Sequence, residues 1–129
     1  MRAISIGARG HSEIIVGPEH LASNVKSDIL PPVLATPIMV LLMENAALEA
    51  VRPYLEPGES CVGTHVDIVH LAATPAGQRV IAEATVTEVE GRRVSFAVTA
   101  RDATEEIGRG RHERIVIDMA GFLKRLKKK

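Results

Sequence analysis

Between Thr36 and Val51 the sequence reads TPIMVLLMENAALEAV, an apolar run interrupted after its first two residues only by Glu44, Asn45 and Glu49. No other segment is as long and as apolar, so whatever this chain folds into must be built around burying it. The ends read as helix ends. Thr36 is placed to cap the first turn with its hydroxyl, and Pro37 suits the first helical position, where its missing N–H costs nothing. Pro53 keeps Arg52 out of the α region, and Glu56-Pro57-Gly58-Glu59 reads as a turn. With Met39, Leu42, Met43 and Ala46 adding to the apolar surface, little of the helix is left polar, which predicts a buried helix.

After residue 60 the hydrophobic period changes from 3.6 to 2. Val66, Ile68 and His70 share one strand face, with His65, Asp67 and Val69 on the other, and Thr74-Pro75-Ala76-Gly77 closes that strand. Val80, Ala82, Ala84 and Val86 line one face of the next, and after the Glu90-Gly91 turn Val94, Phe96, Val98 and Ala100 repeat the pattern, which makes a hairpin. A further antiparallel strand follows the turn at Asp102 to Glu106 and runs from Ile107 to Asp118. Ser12 to Val16 is a short strand near the front. A sheet with one apolar face has to be covered, and only the helix is long and apolar enough to do it. The expected fold is α+β, a curved antiparallel sheet wrapped around one long central helix. It forms a single domain over residues 1–129, in which 120–129 is a basic tail with the character of a solvated terminus.

Composition removes several classes of function. Lys plus Arg equals Asp plus Glu at 16 each, so no net field draws the whole chain to nucleic acid or to an anionic membrane. Aromatic residues make up 2% of the chain, which leaves few platforms for stacking bases. Residues 38 to 51 are too short and too polar to span a bilayer, which takes about 20 apolar residues. The start, MRAISIGARGHSE, lacks the apolar core of a signal peptide. Cys61 stands alone and reads as a small buried residue rather than a nucleophile. A cytoplasmic protein is expected. His65 and His70 face opposite ways on their strand, no other ligand falls at a metal-binding spacing, and the glycines of EEIGRGRHER open no helix, so neither a metal nor a phosphate-cradling cofactor is expected.

Three polar residues then stand out. On a helical wheel Glu44 lies among Val40, Leu41, Ala47, Leu48 and Val51, all within about 60° of it. A carboxylate there must be paired, hydrogen-bonded or neutral, because burying it bare costs several kcal/mol. An arginine or water at an interface would satisfy it, and so would an active site. Thr36 precedes it by two helical turns, about 12 Å, so the two can line one pocket without touching. His70 faces the same helix–sheet seam, whereas His65 points to the surface. Each has a structural reading of its own: a cap, a paired acid, a core histidine. Together they converge on one seam.

The runs TPIMVLLMENAALEAV and VGTHVDIVHLAATPAG resemble the hotdog-fold acyl-CoA thioesterases, most closely the fluoroacetyl-CoA thioesterase group, over residues 12 to 118. The resemblance implies a hotdog fold and a homodimer whose sheets pair, with active sites at the interface. It implies an acyl-CoA substrate and a catalytic group of Thr36, Glu44 and His70, with Gly63 near the thioester carbonyl. One departure is local: the fluoroacetyl enzyme closes its acyl pocket with aromatic residues before the helix, and ASNVKSDILPPVLA, residues 22 to 35, has none. A different acyl group is therefore expected.

In that frame Glu44 activates water or attacks the carbonyl itself, while His70 orients water or stabilises the oxyanion. Thr36 orients the acid or the substrate, and the Gly63 N–H approaches the carbonyl oxygen. Arg109, Arg111 and Arg114 read as solvated strand residues, with Arg114 or Arg79 available to a CoA phosphate. Two rivals keep the fold and change the role: a binding module that holds an acyl-CoA without cleaving it, and a hydratase or dehydratase of enoyl thioesters.

Overall fold

The computed structural model describes residues 1–129. One five-stranded antiparallel sheet is laid out in the order β1-β3-β4-β5-β2. The strands are β1 (Arg9–Ile15), β2 (Glu59–His70), β3 (Arg79–Glu90), β4 (Arg93–Arg101) and β5 (Glu106–Asp118). A short helix α1 (Ala22–Val25) precedes the long helix α2 (Thr36–Val51), and α3 (Met119–Leu126) closes the chain. No helix is long and apolar enough to cross a membrane.

The hairpin β3–β4 forms as the alternation dictates, with Gly91 at φ +62° in its turn. Val80, Ala82, Ala84 and Val86 are at most 1% exposed, as are Val94, Phe96, Val98 and Ala100. They face α2, whose Met39, Leu42, Met43, Ala46, Ala47, Ala50 and Val51 are buried against them in one core. Phe96 is the largest side chain in that core, and truncating it to alanine would cost about 3–5 kcal/mol.

The helix lies mainly over β1 and β3 and comes close to the sheet. A Cβ on Gly10 would stand 2.2 Å from the Ala46 carbonyl oxygen and 2.4 Å from the Ala50 nitrogen. Strand β1 thus begins earlier than the apolar pattern at Ser12 to Val16 predicts. Its inward position at residue 10 is a glycine, required by the approach of α2 rather than by a turn.

Two further expectations are corrected. The helix is not buried on every side, since Leu41 is 48% exposed and Asn45 and Glu49 face outward. The basic tail is not a frayed terminus up to Leu126: it forms α3, capped by the Asp118 side chain, which accepts from the Gly121 N–H at 2.9 Å.

Strand β2 pairs with β5 on one side and with nothing on the other, which makes it a sheet edge. Its register shifts between Gly63 and His65, so Thr64 is an extra residue that bulges out of the ladder. The bulge changes the parity of the strand. Gly63 lies opposite Arg114, and Val66, Ile68 and His70 lie opposite His112, Gly110 and Gly108, so all four β2 residues belong to the face turned toward the helix.

Candidate active site

Thr36 is the first residue of α2, with Ala35 in the capping position and no side-chain cap. Its hydroxyl turns away from the helix end and lies 2.7 Å from Nδ1 of His70, the last residue of β2. The cap expected of Thr36 is therefore replaced by a contact that ties helix to strand. His70 Nε2, on the other edge of the ring, is buried without a hydrogen-bond partner. Burial lowers the imidazole pKa below its ordinary value, although the Ala72 backbone pulls the other way, so the ring is neutral near pH 7.

A cleft of about 420 Å³ opens beside this pair. Ala22, Leu30, Val33 and Leu34 give it an aliphatic wall, and Lys26 stands at its margin.

Glu44 sits two turns further along α2 and makes no hydrogen bond to Thr36 or His70 of its own chain. Its partner is Arg114 of β5, with Nη1 3.8 Å from Oε2. The carboxylate side chain is 38% exposed and the arginine side chain 12%. Arg114, expected among the solvated arginines, is thus an interior residue. Its Nε–H donates to Cys61 Sγ at 3.1 Å and its Nη2–H to the Cys61 carbonyl at 3.5 Å. Gly63 lies against the same group: a Cβ there would come within 3.1 Å of Glu44 Oε2, 3.3 Å of His112 Cε1 and 3.4 Å of Arg114 Nη1. Glycine keeps that crowded point open.

The sequence-predicted residues thus fall into two clusters in one chain. Thr36 and His70 are joined at one end of the helix–sheet seam. Glu44 and Gly63 are joined at the other, with Arg114 between the sheet and the acid. His112, which the sequence did not single out, lies beneath the second cluster. Cys61 is buried, as expected, and the histidines, cysteine and carboxylates form no group that would hold a metal ion.

A model of the FlK family, the fluoroacetyl-CoA-specific thioesterases, matches residues 16–120. A fluoroacetyl-CoA thioesterase from Streptantibioticus cattleyicolor is 40% identical over 129 residues, which cover 96% of this chain and 93% of that protein. The chain belongs to the fluoroacetyl-CoA-specific thioesterase family. It is an acyl-CoA thioesterase, and family membership decides for cleavage over the binding-only and hydratase readings. A structure of the fluoroacetyl-CoA thioesterase FlK superposes on it with a TM-score of 0.92 at 39% identity, over 98% of both chains. A thioesterase superfamily member from Thermus thermophilus gives 0.89 at 34% identity, over 99% of this chain and 96% of its own. A hot-dog-like protein from Thermanaerovibrio acidaminovorans gives 0.88 at 26% identity, over 97% and 92%. The thioesterase therefore has the hotdog fold expected of the helix wrapped by a curved sheet.

Proposed function

We propose that the enzyme is a homodimer whose active site combines Thr36 and His70 of one subunit with Glu44 and Gly63 of its partner, and that it hydrolyses acyl-CoAs with an apolar acyl group larger than fluoroacetyl. The observation that carries the first part is the separation of the two clusters. Gly63 and His70 lie at either end of a stretch of β2 that spans roughly 20 Å at strand rise. That stretch is an unpaired edge with exposed Val66 and Val69, followed by Leu71, each about half exposed. Such an edge invites pairing with another strand. A two-fold axis through Asp67 would lay β2 antiparallel to its copy and, with Thr64 bulged out of the ladder, bring His70 opposite Gly63 of the partner subunit. Glu44 of the partner subunit would then come to the buried, unpartnered Nε2 of His70.

Hydrolysis then proceeds by attack of water on the thioester carbonyl. Glu44 removes the proton from that water. Arg114, 3.8 Å away, supports the role of base by holding the carboxylate in place without closing on the oxygen that accepts from water. The oxyanion is met by the Gly63 N–H and by the His70 ring, which Thr36 holds in place. The C–S bond breaks, and CoA leaves as thiolate without needing a strong acid, since a thiol has a pKa of about 8.5.

The aliphatic cleft beside Thr36 and His70 supports the acyl preference. It has no aromatic residue to close down on a two-carbon group. A cytoplasmic site of action suits both an acyl-CoA substrate and the free Cys61 thiol.

Thiol release from a panel of acetyl, fluoroacetyl, branched and longer acyl-CoAs tests this reading. The expected result is faster turnover of apolar acyl groups of about four or more carbons, which the aliphatic cleft can seat, than of fluoroacetyl-CoA. A Glu44→Ala variant should fold as a dimer and release no thiol. Undiminished hydrolysis by that variant removes Glu44 from the mechanism, and a monomeric wild-type enzyme with full activity removes the shared site.

A further inference from the structure

His112 lies under the Glu44 cluster and is 1% exposed. Both of its ring nitrogens are engaged. Nδ1 is 2.8 Å from the His65 carbonyl oxygen, which can only accept, so Nδ1 carries the proton. Nε2 is then a bare lone pair, and it lies 3.2 Å from Nη1 of Arg114, which can only donate. Burial lowers the proton affinity of this ring by more than the hydrogen bond to the His65 carbonyl raises it, and the Arg114 charge lowers it again against the weaker pull of Glu44, so the neutral tautomer persists. The ring is also stacked on Phe96, with centroids 5.9 Å apart and planes 25° from parallel, so it is fixed in orientation.

The same Nη1 is the atom that faces Glu44 at 3.8 Å. That distance is long for a charge-assisted hydrogen bond, which closes to about 2.7–2.9 Å. Cys61 anchors Nε and Nη2 of the guanidinium, leaving Nη1 between two acceptors, the His112 ring and the Glu44 carboxylate. We infer that His112 is a positioning residue of the active site: by accepting from Nη1 it holds Arg114 back from Glu44, so that the carboxylate keeps a lone pair free for water. This rests on the reading of Glu44 as the catalytic base.

The test compares three substitutions at one position in the full-length dimer. Gln places an amide oxygen near the position of Nε2 and can still accept from Arg114. Asn reaches only the His65 carbonyl, and Phe keeps the stacking on Phe96 but offers no acceptor. His112→Gln should retain kcat within about threefold, whereas His112→Asn and His112→Phe should lose about tenfold or more in kcat with KM within about twofold of wild type. The double variant His112→Asn/Arg114→Met should be no slower than Arg114→Met alone, because His112 acts through Arg114. A folded His112→Asn with full kcat, or a His112→Gln as slow as His112→Asn, overturns the inference. If Phe does not fold, the Gln and Asn pair, both polar and of similar size, still decides. A Glu44→Ala enzyme that keeps its activity would defeat the reading of Glu44 instead, and so separates the two failures.

Discussion

The Thr36 hydroxyl lies 2.7 Å from His70 Nδ1 and joins the first turn of α2 to the last residue of β2. The contact fixes the imidazole and leaves the buried Nε2 as its only free polar edge. Thr36→Val removes the hydroxyl while keeping the branched shape. It should lower kcat by about 10- to 100-fold with little change in thermal midpoint. Thr36→Ser keeps the hydroxyl and should remain within about fivefold of wild type. Steady-state thiol release with both variants checks this, and a Val variant at full rate would show that the hydroxyl does nothing for the histidine.

Gly10 is where helix and sheet come closest. With a Cβ only 2.2 Å from the Ala46 carbonyl, Gly10→Ala cannot be accommodated without moving α2. A loss of about 3 kcal/mol or more is expected in urea unfolding, at the upper end of overpacking costs. A change under about 1 kcal/mol would mean that the helix sits further from β1.

His70 and His112 are both held below the ordinary imidazole value of 6.5 by burial. Above that value neither state takes up a proton at these rings, and their neutral burial carries no pH-dependent cost. As pH falls through it, the unfolded chain binds protons that the folded chain refuses, so folding stability should decline until the lowered folded values are passed. Urea unfolding between pH 8 and pH 5 measures this. A His112→Gln variant should show a shallower decline than wild type, and identical slopes would contradict the assignment of His112.

The cleft beside Thr36 has Leu30 in its wall. Leu30→Phe adds bulk at the place where the sequence departs from the fluoroacetyl enzyme. Turnover of branched or longer acyl-CoAs should fall by about tenfold relative to acetyl-CoA, the scale of one or two methylenes of pocket misfit. An unchanged ratio would place the acyl group elsewhere.

How far the sequence foreshadows these features depends on whether the deciding force is periodic. The buried helix and the β3–β4 hairpin are written in side-chain alternation, because their residues each meet the core. Gly10 and the start of β1 are not, because close approach selects a residue with no hydrophobic signal. The Thr64 bulge hides for a related reason. The apolar period after it is regular, and the change of face that aligns Gly63 with His70 shows only when β2 is laid against β5. Arg114 and His112 were obscured by composition: in RGRHER, alternating with exposed Arg109 and Arg111, they look like one solvated charged stretch. Their inward face becomes visible only once Cys61 and Glu44 are seen opposite them. Thr36, Glu44 and His70 could be picked out as polar residues on apolar faces, but their division into two clusters depends on tertiary distances that spacing does not encode.

The most direct test of the shared site mixes two inactive variants. Glu44→Ala and His70→Ala homodimers should each be inactive. After the two are mixed, unfolded and refolded together, half of the dimers carry one of each subunit. In such a dimer the intact His70 of the first chain meets the intact Glu44 of the second, restoring one of the two sites. Thiol release should therefore return to about one quarter of the wild-type rate per dimer. If the mixture stays as inactive as its parents although mixed dimers form, the acid and the imidazole do not act across the two-fold, and the account fails.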